Sequence, residues 1–105
     1  MIAEVVRRSI SVNRTRMSYL ATGDDCAAPP VVLIHGSGMN ARYWVAQLRG
    51  LGGVVIAPDL PGHGESDAPA SATLADDVDL VAAFIQQVSE GPVVAVGHSL
   101  GGAIV

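Results

Sequence analysis

Lysine is missing altogether, cysteine occurs once, and aromatic residues make up only 4% of the 105 positions. All positive charge comes from six arginines set against ten acids, a net charge of −4. A surface of that sign has little to hold phosphate backbones or anionic lipid, so no nucleic-acid partner is expected. The lone Cys26 can make no internal disulfide, which fits a reducing, cytoplasmic setting. It sits in the connector Asp24 to Pro30 with no basic neighbour to favour a thiolate, and reads as an incidental loop thiol. Long apolar runs are missing too. Val31 to Ile34 and Val54 to Ala57 are far too short to cross a bilayer, so no membrane span is expected. The N-terminus, with Glu4, Arg7 and Arg8, has no apolar stretch for a secretory signal. Charged residues are scarce, at 15%, against 50% hydrophobic residues, which excludes a disordered tail and points to strands buried on both faces. The length allows one small domain.

What is there is an alternation of strand and helix patterns. Residues 4 to 12 and 15 to 22 read as two strands of a hairpin turning at Asn13-Arg14. Pro29-Pro30 forces an extended entry into a short apolar strand, Val31 to Ile34. A glycine turn, His35-Gly36-Ser37-Gly38, follows. Ala41 to Leu51 reads as a helix burying Trp44, Leu48 and Leu51, with Gly52-Gly53 as its stop. Val54 to Ala57 is a second buried strand, leading into the loop Pro58 to Ser66. Leu74, Val78, Val81, Ile85 and Val88 step by four and three along one helical face, with Thr73 as N-cap and Asp76 and Asp77 at the positive end of the dipole. Val93 to Val96 is a third buried strand, running into Gly97-His98-Ser99-Leu100-Gly101-Gly102. The order, a hairpin followed by βαβαβ, defines an α/β domain with parallel later strands. Its glycine turns all fall at strand carboxyl ends, where such sheets bind ligands.

Gly97-x-Ser99-x-Gly101, set between a buried strand and an apolar helix start, carries the sharpest chemistry. A nucleophile there must ride a strained strand-to-helix turn, and small residues two before and two after keep the backbone clear. The helix opening at Leu100 aims free N–H groups at charge developing beside Ser99. The Ser37 N–H, on a turn in the same crevice, is the natural second donor, with that of Leu100, to an oxyanion.

These residues carry a resemblance. Tyr19-Leu20-Ala21-Thr22-Gly23, the His35-Gly36 turn, Trp44, the run Asp59-Leu60-Pro61-Gly62-His63-Gly64-Glu65-Ser66 and the elbow Gly97 to Gly102 occur in order and at fitting spacing. The sequence resembles the N-terminal portion of the α/β-hydrolase fold, in the serine hydrolase branch of esterases, lipases and carbon–carbon hydrolases. The resemblance implies Ser99 as catalytic nucleophile, an oxyanion hole from the Ser37 and Leu100 N–H groups, a small ester-like substrate, and no metal or organic cofactor. A serine at the elbow disfavours the branches that use an aspartate there, the haloalkane dehalogenases and epoxide hydrolases.

The triad order of this family, nucleophile then acid then histidine, finds no match after Ser99. His35, His63 and His98 all precede it. His98 is expected to point away from its neighbour Ser99, His35 and His63 to serve their own turns, and Asp59 to brace its glycine loop. Together with the apolar end Gly101 to Val105, this gives the expectation that residues 1–105 are a partial domain, a truncated sheet whose later strands, cap, triad acid and histidine lie elsewhere. A catalytically inactive fragment or binding remnant of the same fold is the alternative. Met39, Tyr43 and Trp44 are candidates to line an acyl pocket. A second rival is a dinucleotide fold, because Gly36-x-Gly38-x-x-Ala41 with Asp59 after the next strand satisfies that fingerprint. The Pro58 to Ser66 loop and the Ser99 elbow have no place in it.

Overall fold

The computed structural model describes residues 4–23, 29–69 and 73–105; Cys26 lies outside them. The elements are β1 (Val6–Val12), β2 (Thr15–Thr22), β3 (Val31–Ile34), a 3-10 turn (Ala41–Trp44) running into α1 (Val45–Gly50), β4 (Val55–Pro58), α2 (Leu74–Val88), β5 (Val94–Gly97) and α3 (Leu100–Ile104). The hairpin closes as expected, with Asn13 at φ 47° and Arg14 at φ 68°. Two consecutive left-handed residues make the type I′ turn whose twist suits a two-residue connection.

Five strands form one sheet in the order β1-β2-β4-β3-β5. The β1–β2 and β2–β4 pairs are antiparallel, whereas β3 is parallel to β4 on one side and to β5 on the other. The chain therefore leaves β3 in one direction to reach β4 and then crosses back over β3 to reach β5. Crossovers of one hand must put the two connecting helices on opposite faces.

The core shows that division. Side chains alternate across each strand, so Val32, Ile34, Ile56 and Tyr19 join Leu80, Val81, Phe84 and Ile104 on the face covered by α2 and α3. Leu33, Val55, Ala57 and Leu20 meet Ala41, Trp44 and Leu48 on the other face. Phe84 is fully buried and meets Tyr19 edge-on, with ring centroids 5.2 Å apart. Thr73 caps α2 by accepting the Asp76 N–H at 3.1 Å, as the sequence suggested.

Four local expectations need correction. The Ala41 to Leu51 helix is split: its first turn, Ala41–Trp44, closes by i to i−3 bonds (Tyr43 N–H to the Asn40 carbonyl, Val45 N–H to the Arg42 carbonyl) as a 3-10 turn, and a short α-helix follows to Gly50. Leu51, expected on the buried face, is 55% exposed. The expected stripe of α2 does face the core at Val78, Val81, Ile85 and Val88, but the helix's most buried residues are Leu80, Val81 and Phe84, and Leu74 at its start is exposed. β5 is not buried on both faces: it is the end strand of the sheet, and Val94 and Val96 are exposed.

Candidate active site

A topological switch point lies between β3 and β5, where the chain leaves adjacent parallel strands toward opposite faces of the sheet, and ligand crevices open at such points. Ser99 is the second residue past the carboxyl end of β5, next to the turn that follows β3. It takes φ 57° and ψ −116°, a left-handed value that a non-glycine residue holds only when its surroundings compel it. The surroundings do so through the backbone. A Cβ on Gly97 would run into the carbonyl of Gly101, and one on Gly101 into the carbonyl of Ile34. The small residues flanking Ser99 are thus required by main-chain contact. The His98 N–H donates to the Ile34 carbonyl at 3.0 Å and the Gly101 and Gly102 N–H groups close the start of α3, so the elbow is anchored at both ends while Ser99 itself is exposed.

The turn after β3 comes directly against it. A Cβ on Gly36 would sit 3.2 Å from the Cβ of Ser99 and 3.2 Å from the His98 carbonyl oxygen. Gly36 accepts the Met39 N–H at 3.2 Å across a tight turn in which Gly38 has φ 76°. Among the described residues, the N–H groups of Ser37 and Leu100 have no hydrogen-bond acceptor. Both are backbone donors beside an exposed serine hydroxyl, an arrangement able to receive an anionic oxygen.

The third turn, after β4, is organised around Asp59, which is fully buried. One carboxylate oxygen accepts the Ala41 N–H at 2.7 Å; the other accepts the Glu65 N–H at 3.0 Å and the Arg7 guanidinium at 2.9 Å. Gly64, at φ 52°, is where a Cβ would strike that carboxylate. Ser66 donates to the Asp59 carbonyl and accepts the Ser18 N–H, stitching the loop to β2. Arg7 also donates to the Ser18 hydroxyl and pairs with Glu65. Asp59 is therefore closed off from a ribose hydroxyl, which removes the structural basis of a dinucleotide site. Arg7 and Ser18 were not visible as site supports in the sequence, since neither lies in a glycine-rich motif and their partners are some fifty residues away.

The histidines sort by their ring nitrogens. His35 is fully buried, with Nδ1 2.7 Å from the Gly36 carbonyl and Nε2 accepting the Leu60 N–H at 3.0 Å. That pattern assigns the neutral Nδ1–H tautomer. Burial lowers its pKa below 6.5, and the neighbouring His63 acts in the same direction. His63 lies with Nδ1 3.0 Å from the Pro61 carbonyl and Nε2 accepting the Gly38 N–H at 3.2 Å. His98 faces away into a tilted stack on Tyr43, centroids 4.9 Å apart. Trp44 is buried in the core beneath α1, while Tyr43 is half-exposed over His98. Among the described residues no group of histidine, cysteine and carboxylate side chains has the geometry to hold a metal ion, and no helix is long and apolar enough to cross a membrane.

A mixed sheet between helix layers, with a strained serine elbow at its switch point, is the framework of an α/β hydrolase. Residues 31–105 match the alpha/beta hydrolase family, and the chain belongs to it. It is 42% identical over 98 residues to an (E)-2-((N-methylformamido)methylene)succinate hydrolase of Acinetobacter baylyi, covering 90% of this chain and 36% of that protein. It is 43% identical over 75 residues to Lipase LipV of Mycobacterium tuberculosis, covering 70% of this chain and 29% of the lipase. Among solved structures it is similar to a bacterial membrane phospholipase A (TM-score 0.87, 32% identity, 95% of this chain and 33% of the other). A haloalkane dehalogenase from Bradyrhizobium elkanii is also similar (TM-score 0.85, 28% identity, 97% and 35%). The chain thus spans about a third of the length of the relatives it matches.

Proposed function

We propose that this chain carries the nucleophile and the oxyanion donors of a serine hydrolase acting on a small ester, thioester or activated carbonyl compound. The observation that carries the reading is Ser99 itself, exposed at φ 57° beside two open backbone N–H groups. Ser99 Oγ attacks the carbonyl carbon, and the negative oxygen that forms is received by the N–H groups of Ser37 and Leu100. The leaving group departs to give an acyl-enzyme on Ser99, and water then releases the acid and restores the hydroxyl. The proton leaving Ser99 needs a general base. His35 and His63 have both ring nitrogens engaged with backbone groups and His98 is turned onto Tyr43, so none of the three serves. The base is a histidine, oriented by an acid, from the part of the hydrolase that these 105 residues do not span. Residues 1–105 are accordingly a partial hydrolase domain. Related proteins named as a hydrolase, a lipase and an esterase support the substrate class.

The experiment is labelling of the active protein by a fluorophosphonate, with peptide mapping and an ester-turnover assay alongside. The label is expected on Ser99, and Ser99→Ala is expected to abolish both labelling and turnover. A label on another serine, or undiminished turnover in the variant, overturns the assignment. The engaged histidines also favour a second reading, that the 105 residues alone are catalytically inactive. Sustained esterase turnover by this chain in isolation would overturn that one.

A further inference from the structure

The turn Gly36-Ser37-Gly38-Met39 can exist in two forms that differ by a flip of its central peptide, the one joining Ser37 to Gly38. With φ 76° at Gly38 and the Met39 N–H on the Gly36 carbonyl, it has the type II form; the type I form would need φ of about −90° at Gly38. The central peptide's N–H points at His63 Nε2, 3.2 Å away, and in a trans peptide the Ser37 carbonyl then points the opposite way. Flipping it would bring the Ser37 carbonyl oxygen against the lone pair of Nε2. That lone pair is available because the ring proton sits on Nδ1, next to the Pro61 carbonyl at 3.0 Å. Pro61 thereby sets the tautomer, the tautomer sets the acceptor, and the acceptor holds the turn.

We propose that His63 is a positioning residue that, by accepting the Gly38 N–H, ties the turn after β3 to the loop after β4 and so holds the Ser37 backbone beside Ser99. The inference rests on the oxyanion reading above for its catalytic consequence, though not for its geometry. His63 reaches the site through the loop that Asp59, Glu65 and Arg7 hold together, so the loop after β4 acts on the loop after β3. The His35 ring, just past the end of β3, lies 5.2 Å from that of His63.

The direct test is nitrogen-15 NMR on labelled protein. A through-hydrogen-bond coupling between the Gly38 amide nitrogen and His63 Nε2 is expected, and its absence, with Nε2 found protonated, overturns the proposal. In His63→Leu the Ser37 and Gly38 amide resonances should shift or double while those of core residues such as Phe84 stay. In His63→Gln, whose side-chain carbonyl can accept the same N–H, they should stay close to wild type. Unmoved Ser37 and Gly38 resonances in His63→Leu would also sink the idea. In the active protein, fluorophosphonate labelling of Ser99 should slow about tenfold in His63→Leu, the scale of one lost hydrogen bond, and recover in His63→Gln. A wild-type protein that shows the coupling but takes no label at Ser99 would defeat the hydrolase reading and leave the His63 geometry standing.

Discussion

In the turn after β4, Asp59 receives three donors, Ser66 both donates and accepts, and a buried carboxylate replaces the solvent that a loop would otherwise use. In the turns after β3 and β5, built from the same glycines, serines and histidines, the Ser37 and Leu100 N–H groups stay open and Ser99 holds a backbone angle that costs energy. The difference separates support from site. A polar residue whose every strong partner lies within the fold has no valence left for a ligand, whatever motif it belongs to. The groups beside the exposed Ser99 hydroxyl that the fold leaves unsatisfied are the ones able to meet a substrate.

Breaking the supporting turn should have the largest effect. Asp59→Ala removes the acceptor of two backbone N–H groups and one partner of the Arg7 guanidinium, so unfolding free energy should fall by about 3–5 kcal/mol in urea titration, with Asp59→Asn losing less. A loss below 1 kcal/mol would mean that the loop is held by other means. A smaller effect of opposite sign is expected at the strained turn. Glycine tolerates φ 57°, so Ser99→Gly should be about 1 kcal/mol more stable than Ser99→Ala, although both lack the hydroxyl. Equal stability would show that Ser99 carries no backbone strain. The smallest effect is expected from pH. His35 is held neutral by burial, its folded pKa lying below 6.5, so the unfolded chain binds a proton first as pH falls. The stability that depends on neutral His35 is fully present above pH 6.5 and is lost gradually below it. Melting temperature followed from pH 8 to 5 in wild type and His35→Gln should show an excess acid loss in the wild type only.

Much of this architecture was legible in local chemistry. Asn13 between two strand patterns marked the hairpin, Thr73 marked the start of α2, and the spacing of Gly97, Ser99 and Gly101 marked the elbow. What could not be read depended on distant atoms. The Asp59 carboxylate oxygen that takes the Ala41 N–H at the start of the 3-10 turn is one such atom, since only the fold brings it there. Leu51 and Leu74 fit the helical period yet face outward, because period fixes a stripe and the sheet decides which part of the stripe it covers. Val94 and Val96 look like core until the strand order puts β5 at the end of the sheet. Arg7 carried no signal at all, since a lone arginine on a strand says nothing of a carboxylate on another strand's loop.

The pairing of β3 with β5 has a kinetic consequence. Ser37 and Leu100 belong to turns that become neighbours only when Val31 registers with Val94, whereas β1 and β2 meet across two residues. Hairpins of that kind close in roughly 1–10 μs, while a contact between remote segments waits for the entropy of the intervening loop to be overcome. The Ser37 and Leu100 N–H groups are thus expected to come together late, and a pulse-labelled refolding experiment should find the hairpin amides protected well before those of β5.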